Sequence, residues 1–413
     1  MEATTVANST PISSGTPVES INGTNGEQSH SQNGSTSVTT ESTPLATPTS
    51  ASEPGSTTVK QNGQNGKTEE SGSGLKQLYE QSTQFRYWRY TQSALDDMRS
   101  KVNQEAINAI KDNIREEREQ REAQGASVDD LLLDLNFLKV DEELALLGFY
   151  ERRIVKIFKY WQLPSYVTAT AIVYMKRFFL ENTVMDYHPK DVMLTCMFLA
   201  RKTENFLMTI EDFSKVLKSS AEPILSLEFL VSKNLRFHFT VHHPYRPCLG
   251  FFYDMQAVTD NMERLQKVYD KALGHIDTSL HTDLCFLYQP SQIALAAMRI
   301  ACKEESYDFE RYATYKFKSN EGATQKYNET LLPILLDIER VLNEDPRRVE
   351  VEKSVATEID KRLKMCKDPA KNPDSLIFKK RRRSVPQGGD DDDDDDDDRP
   401  EKKAKLGDDS SPE

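Results

Sequence analysis

The residues whose chemistry stands out lie in one stretch, 188–205, which is apolar along its body and charged at its end. Pro189 suits a first helical turn, and Asp191 lies near the positive end of the helix dipole. The last turn changes abruptly to Arg201-Lys202-Thr203-Glu204-Asn205. A lysine there can reach the surface and donate hydrogen bonds to a partner, or it can oppose the negative end of its own helix. The body is apolar on nearly every side, as in a central buried helix, through Val192, Met193, Cys196, Met197, Leu199 and Ala200.

The chain carries no constellation typical of an enzyme. It lacks a phosphate-binding glycine loop in its ordered middle, and it lacks the G-x-S-x-G, H-E-x-x-H, H-R-D and D-F-G motifs. Paired carboxylates such as Glu142-Glu143 are more typical of solvated helix ends. His242 and His243 have no third metal ligand nearby, and the five cysteines form no C-x-x-C pair, which favours buried thiols. We therefore predict a non-catalytic binding protein with no metal site and no cofactor.

The central stretch occurs twice, and this repetition defines the architecture. Between 128 and 345 the apolar spacing is helical, without strand alternation, so we predict an all-α protein with two consecutive five-helix bundles. A repeat near this length is typical of a duplicated small domain. The second copy lies 101 positions on, which aligns Pro189 with Pro290, Leu194 with Leu295, Met197 with Met298, Lys202 with Lys303, and Glu204 with Glu305.

Composition divides the rest of the chain. A hydrophobic fraction of 37% is low for a wholly globular protein, and residues 1–73 are mostly Ser, Thr, Gly, Asn and Gln, which predicts a disordered tail. No apolar run is long enough to span a bilayer, so no membrane partner is expected. After the tail we predict an N-terminal arm and helix at 74–127, a first bundle at 128–241, a second bundle at 242–345, a flanking C-terminal helix at 346–367, and a disordered basic and acidic tail at 368–413.

Four aromatic residues stand in a basic setting at 84–90, Gln-Phe-Arg-Tyr-Trp-Arg-Tyr. Such interleaving can stack on single-stranded nucleic acid, or it can pin an extended arm to a folded core. The formal net charge of -13 opposes nucleic-acid binding. We therefore interpret Tyr87 and Trp88 as anchors of the arm and expect no direct contact with nucleic acid.

A basic cluster in the C-terminal tail precedes nine consecutive aspartates, Asp390 to Asp398. In an otherwise acidic protein such a cluster predicts a nuclear localisation signal and a nuclear protein. The alternative is an incidental charged tail. The cluster consists of Lys379, Lys380, Arg381, Arg382 and Arg383.

As a set, five segments resemble the cyclin family, and specifically its cyclin H subfamily. The resemblance covers about residues 80–366 and implies that each bundle is a cyclin box. Two departures are the absent Met-Arg-x-Ile-Leu patch, where this chain has 150–154, and Asn205 in place of a family glutamate. The matching segments are 173–179 in the second helix of the box, 186–206 in its third helix and exit, 224–230 in its fifth helix, the linker 243–247 (His-Pro-Tyr-Arg-Pro), and 288–295 in the second repeat.

The resemblance implies a regulatory subunit that activates a cyclin-dependent kinase by contact. It assigns the family's interface pair to Lys202 and Glu228, with Arg201, Glu204 and Phe206 beside them. Lys303, the repeat copy, is expected only to close its helix.

The cyclin H subfamily further implies particular partners. They are the catalytic subunit of the CDK-activating kinase, a RING-type assembly factor and the core of transcription factor IIH, whose kinase module phosphorylates the C-terminal domain of RNA polymerase II and, in some organisms, other cyclin-dependent kinases. Two alternatives stay open: another transcriptional cyclin of the C, K, L or T type, or a DNA-binding factor with cyclin-like repeats similar to transcription factor IIB.

Overall fold

The computed structural model describes residues 78–128, 135–366, 368–372 and 374–384. These residues form helices and connecting turns, and none of them lies in a strand. The predicted all-α class is therefore confirmed. The predicted N-terminal tail, 1–73, and the aspartate run lie outside the described residues.

The described helices follow the predicted order of arm, two repeats and flanking helix. The N-terminal part contains α1 (Thr83–Tyr87) and the long α2 (Gln92–Ala123). The first repeat contains α3 (Val140–Tyr160), α4 (Ser165–Phe178), α5 (Pro189–Thr203), α6 (Ile210–Leu217) and α7 (Glu222–Asn234). The second contains α8 (Tyr245–Met255), α9 (Met262–Ser279), the short α10 (Leu284–Leu287), α11 (Pro290–Glu304), α12 (Phe309–Phe317), α13 (Glu321–Lys326) and α14 (Leu332–Glu344). A π-helical turn, Tyr327–Leu331, joins α13 to α14, and α15 (Lys353–Met365) and α16 (Leu376–Ser384) follow.

The repeat is most regular in the two central helices, α5 and α11. Each has 15 residues and begins with a proline, and each lies inside its own apolar core. Each is also closed by a residue with positive φ, 62° at Asn205 and 52° at Ser306. The backbone amide of the next residue donates a 2.8 Å hydrogen bond to the carbonyl five residues before it. This is the Schellman motif, in which asparagine is the usual substitute for glycine. The departure at Asn205 therefore has a backbone reason.

The N-terminal arm is attached to the folded core through Trp88. Its side chain is 1% exposed, and the Arg177 guanidinium lies 4.6 Å from a Trp88 ring centroid. The indole N–H donates to Nδ1 of His238 at 3.2 Å, whereas Tyr87 is half exposed and stacks on His238. Trp88 therefore has no free face for a nucleic-acid base.

Order extends further than the sequence predicts at the C-terminus. The prediction placed a disordered tail from residue 368, but α16 packs against α2 and Ile377 is fully buried. The carboxylate of Glu117 on α2 accepts the backbone N–H groups of Leu376 and Ile377 at 3.1 and 2.9 Å. The boundary is corrected for the described residues between 368 and 384, because Glu117 provides acceptors for the start of α16.

A buried carboxyl on α3 makes the stability of the fold pH-dependent. Glu143 accepts a 2.7 Å hydrogen bond from Asn103 of α2, and burial raises the pKa of Glu143 to about 7. An unfolded glutamate ionises near pH 4.5, so this residue stabilises the fold below that pH and loses its contribution as the pH rises to 7. We expect the loss to be about 1–3 kcal/mol and to disappear in Glu143→Gln, as measured by urea unfolding at pH 4.5 and pH 8. An equal pH dependence in the variant would contradict the assignment.

Candidate functional site

The exit of α5 presents a fixed pair of opposite charges at the surface. The ammonium of Lys202 lies 2.6 Å from a carboxylate oxygen of Glu228 on α7, and it also lies 4.4 Å from the centroid of the Phe198 ring. The two side chains are 40% and 23% exposed. A pair this exposed contributes little to stability, on the order of 0–1 kcal/mol. Its position between two helices instead places one donor and one acceptor where a partner can reach them.

Large apolar side chains that solvent can reach flank this pair. Leu225 and Phe229 lie one turn apart on α7, on either side of Glu228 in the sequence, and Phe229 is 69% exposed. Leu207, just after the exit of α5, is 74% exposed. Apolar exposure next to a held charge pair is typical of a surface that another protein covers.

The structure separates the remaining predicted site residues. Arg201 is buried and its guanidinium lies 5.4 Å from the Trp161 ring, so in this structure it supports the core and is not presented to a partner. Phe206 packs edge-on against Tyr166 at the exit, with 6.2 Å between ring centroids. Glu204 lies in the same turn and accepts a hydrogen bond from Thr170. Thus Lys202, Glu204 and Phe206 share one exit turn, opposite Glu228, and Arg201 lies beneath it.

A partly buried chain of hydrogen bonds fixes the exit turn. The hydroxyl of Thr170 on α4 donates to Glu204 at 2.6 Å and lies 2.8 Å from Nε2 of His243 in the linker between the repeats. Burial lowers the pKa of His243 to about 3, so the ring is neutral at neutral pH. Because the Thr170 proton is directed to Glu204, Nε2 of His243 is the donor to Thr170.

A second hydroxyl on α4 supports the same turn. Tyr174 contacts the Thr203 hydroxyl at 3.0 Å and donates to the carbonyl of Phe239 at 2.6 Å. Neither Thr170 nor Tyr174 was predicted from the sequence, because nothing local distinguishes their hydroxyls from those of Ser165 and Thr168 on the same helix. It placed His243 only in the linker.

The second repeat contains a related pair with different surroundings. Lys303 contacts the Glu339 carboxylate at 2.7 Å, whereas the sequence led us to expect only that it closes its helix. Arg299 binds the same carboxylate at 2.7 Å, and Glu339 is buried. Leu336 corresponds to the exposed Leu225, but Arg340 follows the glutamate where the first repeat has Phe229. The carboxylate of this second pair is therefore more buried than Glu228, although Lys303 itself is exposed, and the apolar rim of the pair is interrupted by a charge.

The described residues contain neither a group of side chains suited to a metal ion nor a helix suited to a membrane. Nowhere in that part of the chain do three His, Cys, Asp or Glu side chains come together as a metal ion would require. Likewise, none of the helices described there combines the length and apolarity needed to cross a membrane. The cysteines in the described residues are free thiols, and all but Cys285 are buried.

Comparison with known proteins places these features in a family. The family model "Cyclin, N-terminal domain" matches residues 148–240, and "Cyclin C-terminal domain" matches residues 243–343. The chain is 36% identical over 251 residues to cyclin CCL1 of Saccharomyces cerevisiae, covering 60% of this chain and 63% of that one. It is 32% identical over 272 residues to cyclin-H of Xenopus laevis, covering 63% and 77%. A chain in the solved CAK complex from Chaetomium thermophilum bound to ATP-γ-S superimposes with a TM-score of 0.61 and 28% identity, covering 76% of this chain and 97% of that one.

Proposed function

The chain belongs to the cyclin family, in its cyclin H subfamily, and from this premise we propose that it binds and activates a cyclin-dependent kinase of the CDK-activating type. The observation that carries the proposal is the Lys202–Glu228 pair, held at 2.6 Å between α5 and α7 and flanked by exposed apolar side chains. The similarity to a chain of a CAK complex supports the choice of kinase.

The proposed mechanism is positional. Lys202 donates to main-chain carbonyls next to the regulatory helix of the kinase, and Glu228 accepts from donors on the same element. Leu207, Leu225 and Phe229 supply apolar area that becomes buried on binding. Docking moves the regulatory helix inward, so that its glutamate pairs with the ATP-positioning lysine and the activation loop opens. The chain itself contributes no catalytic group.

The remaining partners follow from the subfamily. We infer that a RING-type assembly factor joins the pair and that the trimer is the kinase module of transcription factor IIH, acting in the nucleus on the C-terminal domain of RNA polymerase II. Phosphorylation of other cyclin-dependent kinases is a further activity of the same complex. The chain contacts nucleic acid only through its partners.

Purification of the endogenous complex tests the proposal most directly. We expect a tagged chain to co-purify with a CDK-activating kinase subunit, and the recombinant chain to raise the activity of that subunit on a peptide of the polymerase repeat. The chain alone should transfer no phosphate. Recovery of a kinase of the cyclin C, K, L or T type, or a stable complex with duplex DNA at moderate salt, would overturn the assignment.

Thr170→Val should weaken kinase binding by more than its loss of folding stability explains. It removes the hydroxyl that holds Glu204, so the exit turn loses its fixed position. We expect a stability loss of about 1–2 kcal/mol and an affinity loss of roughly tenfold, measured by isothermal titration with the kinase. The matched control is Thr195→Val on α5, whose buried hydroxyl donates to the Asp191 carbonyl away from the exit. It should lose similar stability and keep its affinity, and an equal affinity loss in both variants would contradict the prediction.

A further inference from the structure

The predicted nuclear localisation cluster lies on α16, and part of it contacts α2. Glu116 pairs with Lys380 and Arg381, each at 3.2 Å, and Arg381 also donates to the Asn113 side chain at 2.7 Å. The neighbouring Glu117 is buried beneath the first turn of α16, where it accepts two backbone N–H groups. The contact therefore combines a polar attachment at the start of the helix with an electrostatic one along its length.

This contact is of a kind that can open. Lys380 and Arg381 are more than half exposed, and ion pairs at such exposure contribute on the order of 0–1 kcal/mol each. Glu116, Lys380 and Arg381 are all exposed to solvent, so breaking their ion pairs leaves none of these charges stranded in an apolar core. Ile377 is the fully buried apolar residue of α16. Few apolar contacts and many solvent-accessible polar ones characterise a segment of low local stability.

The helix ends at a serine in a distinctive setting. Ser384 is the last residue of α16, and Arg381, Arg382 and Arg383 directly precede it. Arginines two and three positions before a serine suit a protein kinase whose substrate groove is acidic, because guanidinium groups pair strongly with carboxylates. Position 384 also follows Arg381 by three residues and Lys380 by four, and these are the spacings at which residues of a helix are neighbours.

We propose that Ser384 is a phosphorylation site for an arginine-directed serine kinase and that its phosphate releases α16 from α2. The kinase transfers the γ-phosphoryl group of ATP to the serine oxygen. The bond from phosphorus to the ADP oxygen breaks, a new phosphorus–oxygen bond forms, and the hydroxyl proton leaves with ADP as the other product. This inference rests on the α2–α16 contact and is independent of the proposed kinase-activating function.

Two effects of the phosphate act in the same direction. It adds about -1.5 to -2 charges at neutral pH, which compete with Glu116 for Lys380 and Arg381 from within the same helix. It also places negative charge at the C-terminal end of α16, where the helix dipole is already negative, and so destabilises the last turn. Release presents the whole basic cluster to an acidic partner surface.

The full chain, treated with ATP and the catalytic subunit of cAMP-dependent protein kinase, tests both parts. Peptide mass spectrometry should find phosphate on Ser384 and none at that position in Ser384→Ala. Hydrogen exchange of the amides of 376–382 should accelerate about tenfold after phosphorylation. Absence of phosphate on Ser384 overturns the site, and phosphate with unchanged exchange overturns the release.

Glu116→Gln provides the matched control for the mechanism. It removes the competing carboxylate while leaving the Glu117 attachment in place. Unmodified Glu116→Gln should exchange faster than the wild type in α16, and phosphorylation should then add less than it does in the wild type. A phosphate effect of undiminished size in Glu116→Gln would overturn competition with Glu116 as the cause.

Discussion

Replacing Lys202 and Glu228 together by alanine is expected to leave the fold intact and to weaken kinase binding by about a hundredfold or more. Partner-facing groups of this kind cost on the order of 2 kcal/mol or more each when truncated, and such losses are not additive. The pair is partly solvated, so its removal should change the free energy of unfolding by less than about 1 kcal/mol. Titration with the purified kinase subunit measures the affinity, and urea unfolding measures the stability.

Lys303→Ala is the control for the Lys202–Glu228 experiment, because Lys303 ends α11 as Lys202 ends α5. Glu339 keeps its second partner, Arg299, in this variant. We expect wild-type affinity for the kinase and a stability close to that of the wild type. The interface assignment fails if the double variant in the first repeat binds and activates its kinase like the wild type, or if Lys303→Ala loses as much affinity.

The contrast between the two repeats gives a physical reason for proposing that only the first repeat docks the kinase. In the first repeat the acidic partner is partly exposed and Phe229 extends the apolar rim. In the second, Glu339 is buried under two cations and the next residue is Arg340. Binding a kinase there would require disrupting the pairing of the buried Glu339 with its two cations and desolvating the charge of Arg340. Both repeats therefore contain a lysine–glutamate ion pair, and the surroundings of each pair determine whether a partner protein can reach it.

Sequence periodicity could predict the two central helices, because apolarity and a proline start are local properties that repeat at a fixed spacing. The partner of Lys303 could not be found in this way. The spacing that aligns α5 with α11 places Glu228 on Glu329, which lies in the π-helical turn before α14. The glutamate that binds Lys303 is Glu339, in α14. An insertion before the last helix of the repeat therefore hides the second pair from alignment by spacing.

The C-terminal end of the ordered chain could not be predicted from local sequence patterns either. Nearly all of residues 111–124 are charged or Gln, a composition typical of a solvated helix, and Glu117 has no feature that sets it apart from its neighbours. Its partners, Leu376 and Ile377, lie about 260 positions further along the chain. Burial of a carboxylate by a distant helix start has no local signal in composition or periodicity. The exit network of Thr170 and His243 was missed for the same reason.

Asp283→Ala is expected to be the most destabilising single polar substitution considered for this chain. The side chain of Asp283 is fully buried at the start of α10, where Arg99 of α2 binds it through two hydrogen bonds of 2.7 and 2.8 Å. Arg347, just after α14, binds the same carboxylate at 2.6 Å. Alanine leaves two guanidinium groups without their common partner, and breaking a buried ion pair from one side costs about 3–5 kcal/mol. Urea unfolding at neutral pH measures this loss.

The pH dependence of unfolding separates this charge effect from a packing defect. Burial alone would raise the pKa of Asp283. Hydrogen bonds from Arg99 and the charges of Arg99 and Arg347 instead hold this pKa well below its usual range. The contribution of Asp283 is therefore complete above pH 3.8, the ordinary value for an aspartate, and is lost as the pH falls further. Asp283→Ala should reduce that acid-induced loss, whereas Asp260→Ala, which removes an exposed and solvent-screened partner of Arg311, should change stability and its pH dependence far less. If Asp283→Ala is no less stable than Asp260→Ala, this carboxylate does not hold α2 and the segment after α14 to the second repeat.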